Sequence, residues 1–209
     1  MERANSSTVS VDVLTLRHNH VRRQVELAVA PRTSEPYLGQ LALPGVVLNE
    51  GERLAAAAER AASEKLGLSL LAQGQLAVFD DPRRDPRGAT LSIAMWAIAD
   101  HADTDQAQWF ALDDLPPLAF DHTLIVATCR PLLVEHLWRD LAFTRALTGP
   151  SFPVSSAVAI TKSLTGSAPD RGNLNRRLAS VKGLGVSNHK VVLGRGRPGT
   201  LWEWLPTAG

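Results

Sequence analysis

Runs of apolar and polar residues in the N-terminal part of the chain predict a β-sheet. Residues 11–16 and 25–29 are short runs rich in β-branched and apolar residues, separated by the polar segment 17–24. This arrangement predicts a β-hairpin. Residues 91–98 form an almost continuous apolar run, which is typical of a buried strand. Two shorter strands are predicted at residues 76–79 and 109–110.

Two segments further along have helical patterns. Residues 53–66 (RLAAAAERAASEKL) are rich in Ala and Leu, which favour helix formation, and Gly67 follows where a glycine commonly ends a helix. Residues 121–148 predict one long helix or a pair of helices. Pro131 is expected to kink this segment or to end its first half, because proline lacks the backbone N–H that a helix interior needs.

The C-terminal part predicts a pair of helices. Residues 154–164 are helical in pattern, a turn follows, and a second helix is expected at about residues 169–182. Ser167 and Asp170 have the spacing of a capping box at the start of that helix.

A buried stripe and two strands complete this C-terminal pattern. Leu174, Leu178 and Val181 recur at i, i+4 and i+7, which places them on one face of the second helix. Residues 191–193 and 201–204 predict two strands on either side of the glycine-rich tip 194–199.

The composition is that of a soluble globular protein large enough for a hydrophobic core. Of the 209 residues, 44% are apolar and 21% are charged. No stretch approaches 18 apolar residues without a charge, and residues 1–7 lack the apolar region of a secretory signal, so a cytoplasmic protein without membrane contact is expected. Cys129 is the single cysteine, which excludes an internal disulfide and predicts core packing.

Charge is distributed unevenly between the two parts of the chain. Residues 1–149 carry 14 Lys and Arg against 19 Asp and Glu, whereas residues 150–209 carry 8 against 2. The resulting net charges of −5 and +6 suggest a polyanionic partner for the C-terminal part alone.

Residues 43–68 (LPGVVLNEGERLAAAAERAASEKLGL) carry a motif. They resemble the Nudix box of nucleoside-diphosphate-X pyrophosphatases, which runs G-x5-E-x7-R-E-U-x-E-E-x-G-U, with U apolar. The residues that match are Glu52, Arg60, Glu64, Gly67 and Leu68. The first glycine of the pattern falls on Val46, directly after Gly45. The resemblance implies a Nudix fold, in which Glu52 and Arg60 mainly brace the loop against the helix.

The departures from this pattern concern the metal ligands. Nudix hydrolysis needs a divalent cation held by several carboxylates on one helix face. This chain has Ala61 and Lys65 at two of the glutamate positions and keeps Glu64. One carboxylate beside an ammonium group is a poor divalent-metal site, so we expect no metal, no catalytic residues and no hydrolysis.

Residues 79–88 (FDDPRRDPRG) are similar to the loop of Nudix proteins that handle ADP-ribose. Arginines in such a loop can hold phosphates through paired hydrogen bonds, although the same residues could form a solvated charged turn. Beside the altered motif, we expect a ligand site. The residues expected to contact the ligand are Gly45, Arg60, Glu64, Arg84, Asp85 and Arg87.

The basic C-terminal part has the order of elements of a winged helix-turn-helix, which reads DNA through its second helix. Arg and Asn side chains can pair with guanine and adenine edges. The residues expected to contact DNA are Arg171, Asn173, Asn175, Arg176 and Arg177 on the helix, and Lys190, Arg195 and Arg197 on the wing. The alternative is a protein-interaction domain.

Along essentially its whole length the chain resembles the Nudix-related transcriptional regulators of NAD metabolism, the NrtR family. Residues 170–177 (DRGNLNRR) are similar to that family's recognition helix, and residues 196–198 with 201–202 to the end of its wing. The resemblance implies an α/β fold: an N-terminal Nudix α/β/α sandwich with a mixed sheet, and a C-terminal winged helix. The expected boundaries are 1–117 for the ligand-sensing domain, 118–149 for a linking and dimerisation segment, and 150–209 for the DNA-binding domain.

The resemblance also implies a function. The expected protein is a homodimeric repressor of genes for NAD synthesis or salvage, which binds a palindromic operator and releases it when ADP-ribose or a related nucleotide binds. ADP-ribose is here an effector, and no cofactor is expected. One alternative is an active ADP-ribose pyrophosphatase with an accessory C-terminal domain, and another is a regulator that answers NAD, a sugar nucleotide or a phosphorylated sugar.

Overall fold

A computed structural model describes residues 7–100, 103–187 and 200–206. Its strands are β1 (Thr8–Asn19), β2 (Gln24–Pro31), β3 (Leu41–Ala42), β4 (Gly45–Val47), β5 (Leu70–Phe79), β6 (Thr90–Ala99), β7 (Gln108–Ala111), β8 (Ser151–Pro153), β9 (Leu184–Val186) and β10 (Leu201–Trp204). Its helices are α1 (Leu54–Leu66), α2 (His122–His136), α3 (Leu141–Thr148), α4 (Val154–Thr165) and α5 (Arg171–Ser180).

The first seven strands form a mixed sheet. Its main order is β3-β2-β1-β6-β5, with β4 paired to β1 and β7 paired to β2. The hairpin between β1 and β2 is antiparallel, as predicted, while β1 and β6 run parallel. The mixed α/β fold expected from the sequence is confirmed. The apolar run of β6 follows from its central position in the sheet, where most of its side chains are buried.

Helix α1 lies at the predicted position and packs on the sheet through small residues. Ala57, Ala58 and Ala61 are fully buried and form an apolar cluster with valines of β1. Gly67 ends the helix with φ of 66°, in the left-handed region that favours glycine. The alanine-rich face therefore brings this helix close to the sheet, with its opposite face free to line a cavity.

Residues 121–148 form two helices, but Pro131 does not separate them. It lies inside α2, and the break comes at residues 137–140, where Leu137 is extended and Asp140 caps α3 by accepting a hydrogen bond from the Phe143 N–H. The buried Cys129 and Leu133 on either side of Pro131 keep the helix packed against the core. Burial also raises the pKa of the Cys129 thiol to about 11.

The C-terminal elements are a helix pair and a small antiparallel sheet. Strand β10 lies between β8 and β9. The structure corrects the expected cap of α5: Asp170 itself is the N-cap and accepts from the Asn173 N–H, because its side chain directly precedes the first turn, and Ser167 has no part in it. The helix is accordingly shorter than expected. Strands β8 and β9 have three residues each and carry no alternation long enough to predict them.

One apolar cluster connects both sheets through the helices between them. Trp96 of the large sheet contacts Phe143 of α3 edge-to-face, and Trp138 stacks on Phe152 of β8. Trp202 is also buried. Complete burial of one large apolar side chain contributes about 1.5–3 kcal/mol, so this cluster joins the two parts of the chain firmly. None of the described helices is long and apolar enough to cross a bilayer.

Candidate functional site

A polar cavity of about 580 Å³ opens on the large sheet. Its wall comes from β1, β4, the exposed side of α1, the loop 80–88 and the start of α2. The side chains that carry charge in this wall are Asp12, Arg32, Arg60, Glu64, Lys65, Arg84, Asp85 and Arg87. Five of these groups are cationic and three are carboxylates. The guanidinium and ammonium groups of this wall can donate charge-assisted hydrogen bonds to an anionic ligand.

A second cavity of about 370 Å³ adjoins the first. The two share six residues of their walls: Arg32, Ser34, Leu43, Gly45, Glu64 and Lys65. The second cavity adds apolar wall from β2 and β3 and the side chain of Gln106. Together the cavities form a two-part space with a charged junction.

Arg84 is the central buried cation of the larger cavity. Its side chain is 4% exposed, and its Nε and Nη2 donate to the two carboxylate oxygens of Asp121 at 2.9 and 2.8 Å. Nη2 also lies 3.3 Å from Oδ2 of Asp12, which accepts from the Ser92 hydroxyl. Burial alone would lower the pKa of Arg84, but the hydrogen bonds and charge of Asp121 and Asp12 outweigh burial and raise it. The loop 80–88 is thereby fixed to β1 and to the start of α2.

His122 completes this buried group in its neutral form. Its Nδ1 accepts a hydrogen bond from the backbone N–H of Leu43 at 2.9 Å, which leaves the proton on Nε2, 3.6 Å from Oδ1 of Asp12. Burial lowers the pKa of His122, and the attraction of Asp12 and Asp121 does not overcome that effect.

Gly45 allows β4 to approach this group. It pairs with Asp12 across β1 and β4, and a Cβ atom at Gly45 would overlap the Asp12 carboxylate. Any side chain at this position would therefore displace the buried acid.

Arg60 and Glu52 form the brace that the sequence motif implies. Arg60 Nε and Nη2 donate to the two oxygens of Glu52 at 2.9 and 2.8 Å, and Nη2 also reaches the Val47 carbonyl oxygen. These hydrogen bonds from Arg60, with one from the Asn49 N–H, lower the pKa of Glu52 to about 2. The pair holds the loop before α1 against the helix.

An aromatic and cationic cluster forms part of the wall of the larger cavity, which Arg32, Arg87 and Phe120 line. The guanidinium of Arg32 stands 4.6 Å from the centre of the Phe120 ring, and that of Arg87 stands 5.5 Å from it. Tyr37 contacts the same ring edge-to-face. Arg87 also makes a two-pronged ion pair with Asp85, which lowers the pKa of Asp85. Phe120 thus joins three segments that are distant in the sequence.

The residues at the Nudix metal positions do not fit a divalent cation. Ala61 is fully buried in the packing of α1 on the sheet, so this position turns a methyl group inward. Glu64 and Lys65 are exposed and line both cavities. Within residues 7–100, 103–187 and 200–206, no group of three or more His, Cys, Asp or Glu side chains is placed to hold a metal ion.

The second candidate site is the outer face of α5. Leu174 and Leu178 of the predicted stripe are buried, and so is Val181 just beyond the helix end. The polar residues Arg171, Asn173, Asn175, Arg176 and Arg177 are exposed. Arg176 donates to the Asn173 side chain on the same face, and Arg177 reaches the Leu137 carbonyl oxygen at 3.2 Å. Arg177 therefore also ties α5 to the end of α2.

The structure brings the predicted ligand residues together in one place. All six, Gly45, Arg60, Glu64, Arg84, Asp85 and Arg87, line the larger cavity. The sequence interpretation missed Asp12, Arg32, Phe120 and His122, which carry no motif and meet only in the tertiary structure. Lys190, Arg195 and Arg197 of the expected wing lie outside the described residues. That the six cavity residues contact a ligand, and that the α5 and wing residues contact DNA, stays a prediction.

Two characterised relatives share sequence with the chain, and no protein-family model matches it. Over 112 residues it is 32% identical to an ADP-ribose pyrophosphatase of Methanocaldococcus jannaschii, a match that covers 51% of this chain and 66% of that protein. Over 192 residues it is 23% identical to the ADPR responsive transcriptional repressor NtrR of Acinetobacter baylyi, covering 87% of this chain and 76% of the relative.

Solved structures show where the fold recurs. The crystal structure of Shewanella oneidensis NrtR superposes with a TM-score of 0.77 at 23% identity, and covers 94% of this chain and 93% of that one. The same protein complexed with a 27mer DNA also gives 0.77, at 24% identity and with the same coverage. Its NUDIX domain complexed with ADP ribose gives 0.52 at 24% identity, over 62% of this chain and 90% of that one. Over nearly its whole length, the chain has the fold of the Nudix-related transcriptional regulator NrtR.

Proposed function

We propose that this protein is a DNA-binding transcriptional regulator whose cavity binds ADP-ribose or a related nucleotide without hydrolysing it. The observation that carries the proposal is one chain that combines a cationic Nudix-type cavity with a helix-turn-helix whose outer face is exposed and basic. Either feature alone has several interpretations. Their combination within the NrtR fold favours a regulator that responds to a nucleotide.

The ligand half of the proposal rests on the shape and charge of the two cavities. Arginine and lysine donors in the wall suit a diphosphate, and two joined spaces suit a molecule with a group on each side of the diphosphate. The S. oneidensis structure with ADP ribose and the A. baylyi repressor named as ADPR responsive support this choice of ligand.

The proposal that the ligand is not hydrolysed rests on the residues at the positions where the Nudix motif has metal-binding glutamates. A buried Ala61 and a cationic Lys65 leave Glu64 as the remaining acid at the three positions. Nudix hydrolysis requires a divalent cation to polarise the phosphoryl oxygens, and one carboxylate is too few to hold it. A site that binds a diphosphate and leaves it intact is suited to sensing.

The DNA half rests on α5. Its N-cap Asp170 fixes the start of the helix, and its apolar stripe faces inward, so Asn173, Asn175 and Arg176 are presented outward. In a helix-turn-helix such residues near the helix N-terminus contact base edges in the major groove. The NrtR structure with a 27mer DNA supports the same use here. A homodimer on a palindromic operator, controlling genes of NAD synthesis or salvage as a repressor, completes the proposal.

A packed route connects the two halves. Arg84 of the cavity holds Asp121 at the start of α2, and Arg130 of the same helix holds the end of α4. Helix α4 in turn packs against α5. A ligand that changes the pairing of Arg84 would act on α2, and it can regulate DNA binding only if it prefers one arrangement of the two halves.

The test is a binding titration in which the protein is added to labelled DNA from the region upstream of its own gene and the neighbouring genes. Binding is monitored by fluorescence anisotropy, with and without ADP-ribose. Specific binding that weakens as ADP-ribose is added supports the proposal. Binding that is equal on unrelated DNA of the same length, or unaffected by ADP-ribose at saturation, contradicts it.

The M. jannaschii relative favours a second candidate, an active ADP-ribose pyrophosphatase. Incubation with ADP-ribose and Mg²⁺ separates the two candidates. Turnover that disappears in the Glu64→Gln variant would establish the enzyme. Intact ADP-ribose, recovered from a sample that binds it, would favour the regulator.

A further inference from the structure

Lys65 occupies a distinctive place in the cavity wall. It lies in the last turn of α1 at a position where the Nudix motif has a glutamate. It is exposed, and it belongs to the wall of both cavities. Its ammonium group is therefore available at the junction of the two spaces.

The other cations of the larger cavity already have partners. Three are paired with carboxylates: Arg60 with Glu52, Arg84 with Asp121 and Arg87 with Asp85. Arg32 donates to the carbonyl oxygens of Ser34 and Pro36. Across the part of the chain that the structure describes, Lys65 is the cavity cation with neither an ion pair nor a hydrogen bond.

A diphosphate needs a positive charge that this site does not obtain from a metal. In a Nudix hydrolase, carboxylates hold the cation that neutralises the diphosphate, but here the buried Ala61 and the single Glu64 do not form such a site. An ammonium group is a compact point charge with three donors on a flexible stem, and it binds phosphate oxygens directly.

We propose that the ammonium group of Lys65 binds the diphosphate of the ligand directly and takes the place of the divalent metal. The diphosphate lies at the junction of the two cavities, and the groups it joins extend one into each. Binding is then independent of Mg²⁺. This inference rests on the proposed function and deepens it by assigning the group that recognises the diphosphate.

If Lys65 has only a structural role, its replacement changes the stability of the protein and leaves its affinity for the ligand unchanged. A lysine in the last turn also interacts favourably with the C-terminal end of the helix dipole, which affects stability and not ligand affinity. Melting temperatures without ligand measure that role separately from binding.

The experiment is calorimetric titration of ADP-ribose into the full chain, once in EDTA and once in Mg²⁺. The variants are Lys65→Gln, which removes the charge, Lys65→Arg, which keeps it, and Lys65→Glu, which reverses it. Arg53→Gln is the matched control, because Arg53 is an exposed cation at the other end of α1 that lines neither cavity.

We expect the wild-type Kd to be the same in both buffers. Lys65→Gln should weaken binding by about tenfold or more, as loss of a charge-assisted hydrogen bond predicts, and Lys65→Glu should weaken it further. Lys65→Arg and Arg53→Gln should bind like the wild type. The melting temperature of Lys65→Gln without ligand should stay close to that of the wild type, because an exposed charge at a helix end contributes only about 0.3–1 kcal/mol.

Two results would overturn the inference and leave the proposed function standing: wild-type affinity in Lys65→Gln, or wild-type binding that requires Mg²⁺. If the wild type binds no ADP-ribose in either buffer, the proposed effector is wrong and the inference falls with it.

Discussion

Arg84 and Asp121 form a two-pronged ion pair, at 2.9 and 2.8 Å, between residues 37 positions apart. Arg84 comes from the loop after β5, and Asp121 is the N-cap residue of α2. The pair connects the cavity wall to the helix that leads toward the C-terminal part. Because the Arg84 side chain is 4% exposed, its partners depend on it for charge balance.

Replacing Arg84 is expected to destabilise the fold. Arg84→Met keeps most of the side-chain volume but leaves Asp12 buried without its cation, and loss of one member of a buried pair costs about 3 kcal/mol or more. Urea unfolding should show this loss. The control is Arg83→Met on the same loop, because Arg83 and its partner Asp81 are both exposed and loss of this pair should change stability far less. Equal midpoints for the two variants would contradict the structural role of Arg84.

The neutral state of His122 predicts a pH dependence. Its pKa lies below the ordinary value of 6.5 because it is buried, although Asp12 and Asp121 raise it and Arg84 and Arg32 lower it. Below pH 6.5 the unfolded chain takes up a proton at this residue that the folded chain does not, so the free energy of unfolding falls as the pH falls.

The His122→Asn variant isolates this effect. The asparagine oxygen can still accept from the Leu43 N–H but does not titrate. Between pH 6.5 and pH 5, the wild type should lose up to about 1.4 kcal/mol per pH unit more than the variant. Parallel stability curves for the two proteins, measured by urea unfolding, would show that His122 is protonated equally in both states.

Arg130 is expected to carry the coupling between ligand and DNA. Its Nε and Nη2 donate to the carbonyl oxygens of Leu164 and Ser163, in the last turn of α4, and its Nη1 pairs with Asp113. In Arg130→Gln, the ratio of DNA affinities without and with ADP-ribose should move toward one, while the ligand Kd is retained. Typical coupling of about 1–3 kcal/mol makes this change measurable.

The matched control for that measurement is Arg139→Gln, since Arg139 is an exposed arginine just beyond α2. It should keep the wild-type ratio. A wild-type ratio in Arg130→Gln would remove the α2–α4 contact from the proposed route. If the melting temperature of Arg130→Gln is much lower than that of the wild type, the milder Asp113→Asn variant replaces it.

Arg176 is expected to contribute directly to DNA affinity. Its side chain is exposed on the outer face of α5, so Arg176→Ala should weaken specific binding by about 1–3 kcal/mol if it contacts a base. Anisotropy titrations at several salt concentrations measure both the affinity and its salt dependence. The exposed Arg83, on the loop 80–88, provides a control variant that should bind like the wild type. Unchanged affinity in Arg176→Ala would remove it from the DNA contacts.

The sequence pattern predicted the elements in which a regular pattern of apolar residues extends over many positions. The alanine-rich helix ending at Gly67 and the stripe of α5 are predictable because burial of one face imposes a repeat along the chain. Strand β6 is predictable because burial of both faces makes its run almost continuously apolar. Strands β8 and β9, with three residues each, show no repeat, and the cap at Asp170 depends on backbone geometry that spacing alone does not fix.

The sequence by itself determined the position of the Nudix-like motif and the basic character of the C-terminal part, because these follow from residue types and nearby spacing. Its resemblance to a known family indicated the fold class. Only the tertiary structure decided the partners inside the cavity. Asp12 meets Arg84 across 72 positions because β1 and β6 are parallel neighbours, which brings the loop before β6 beside β1. Burial then forces these charges to pair, since an unpaired charge away from water is costly.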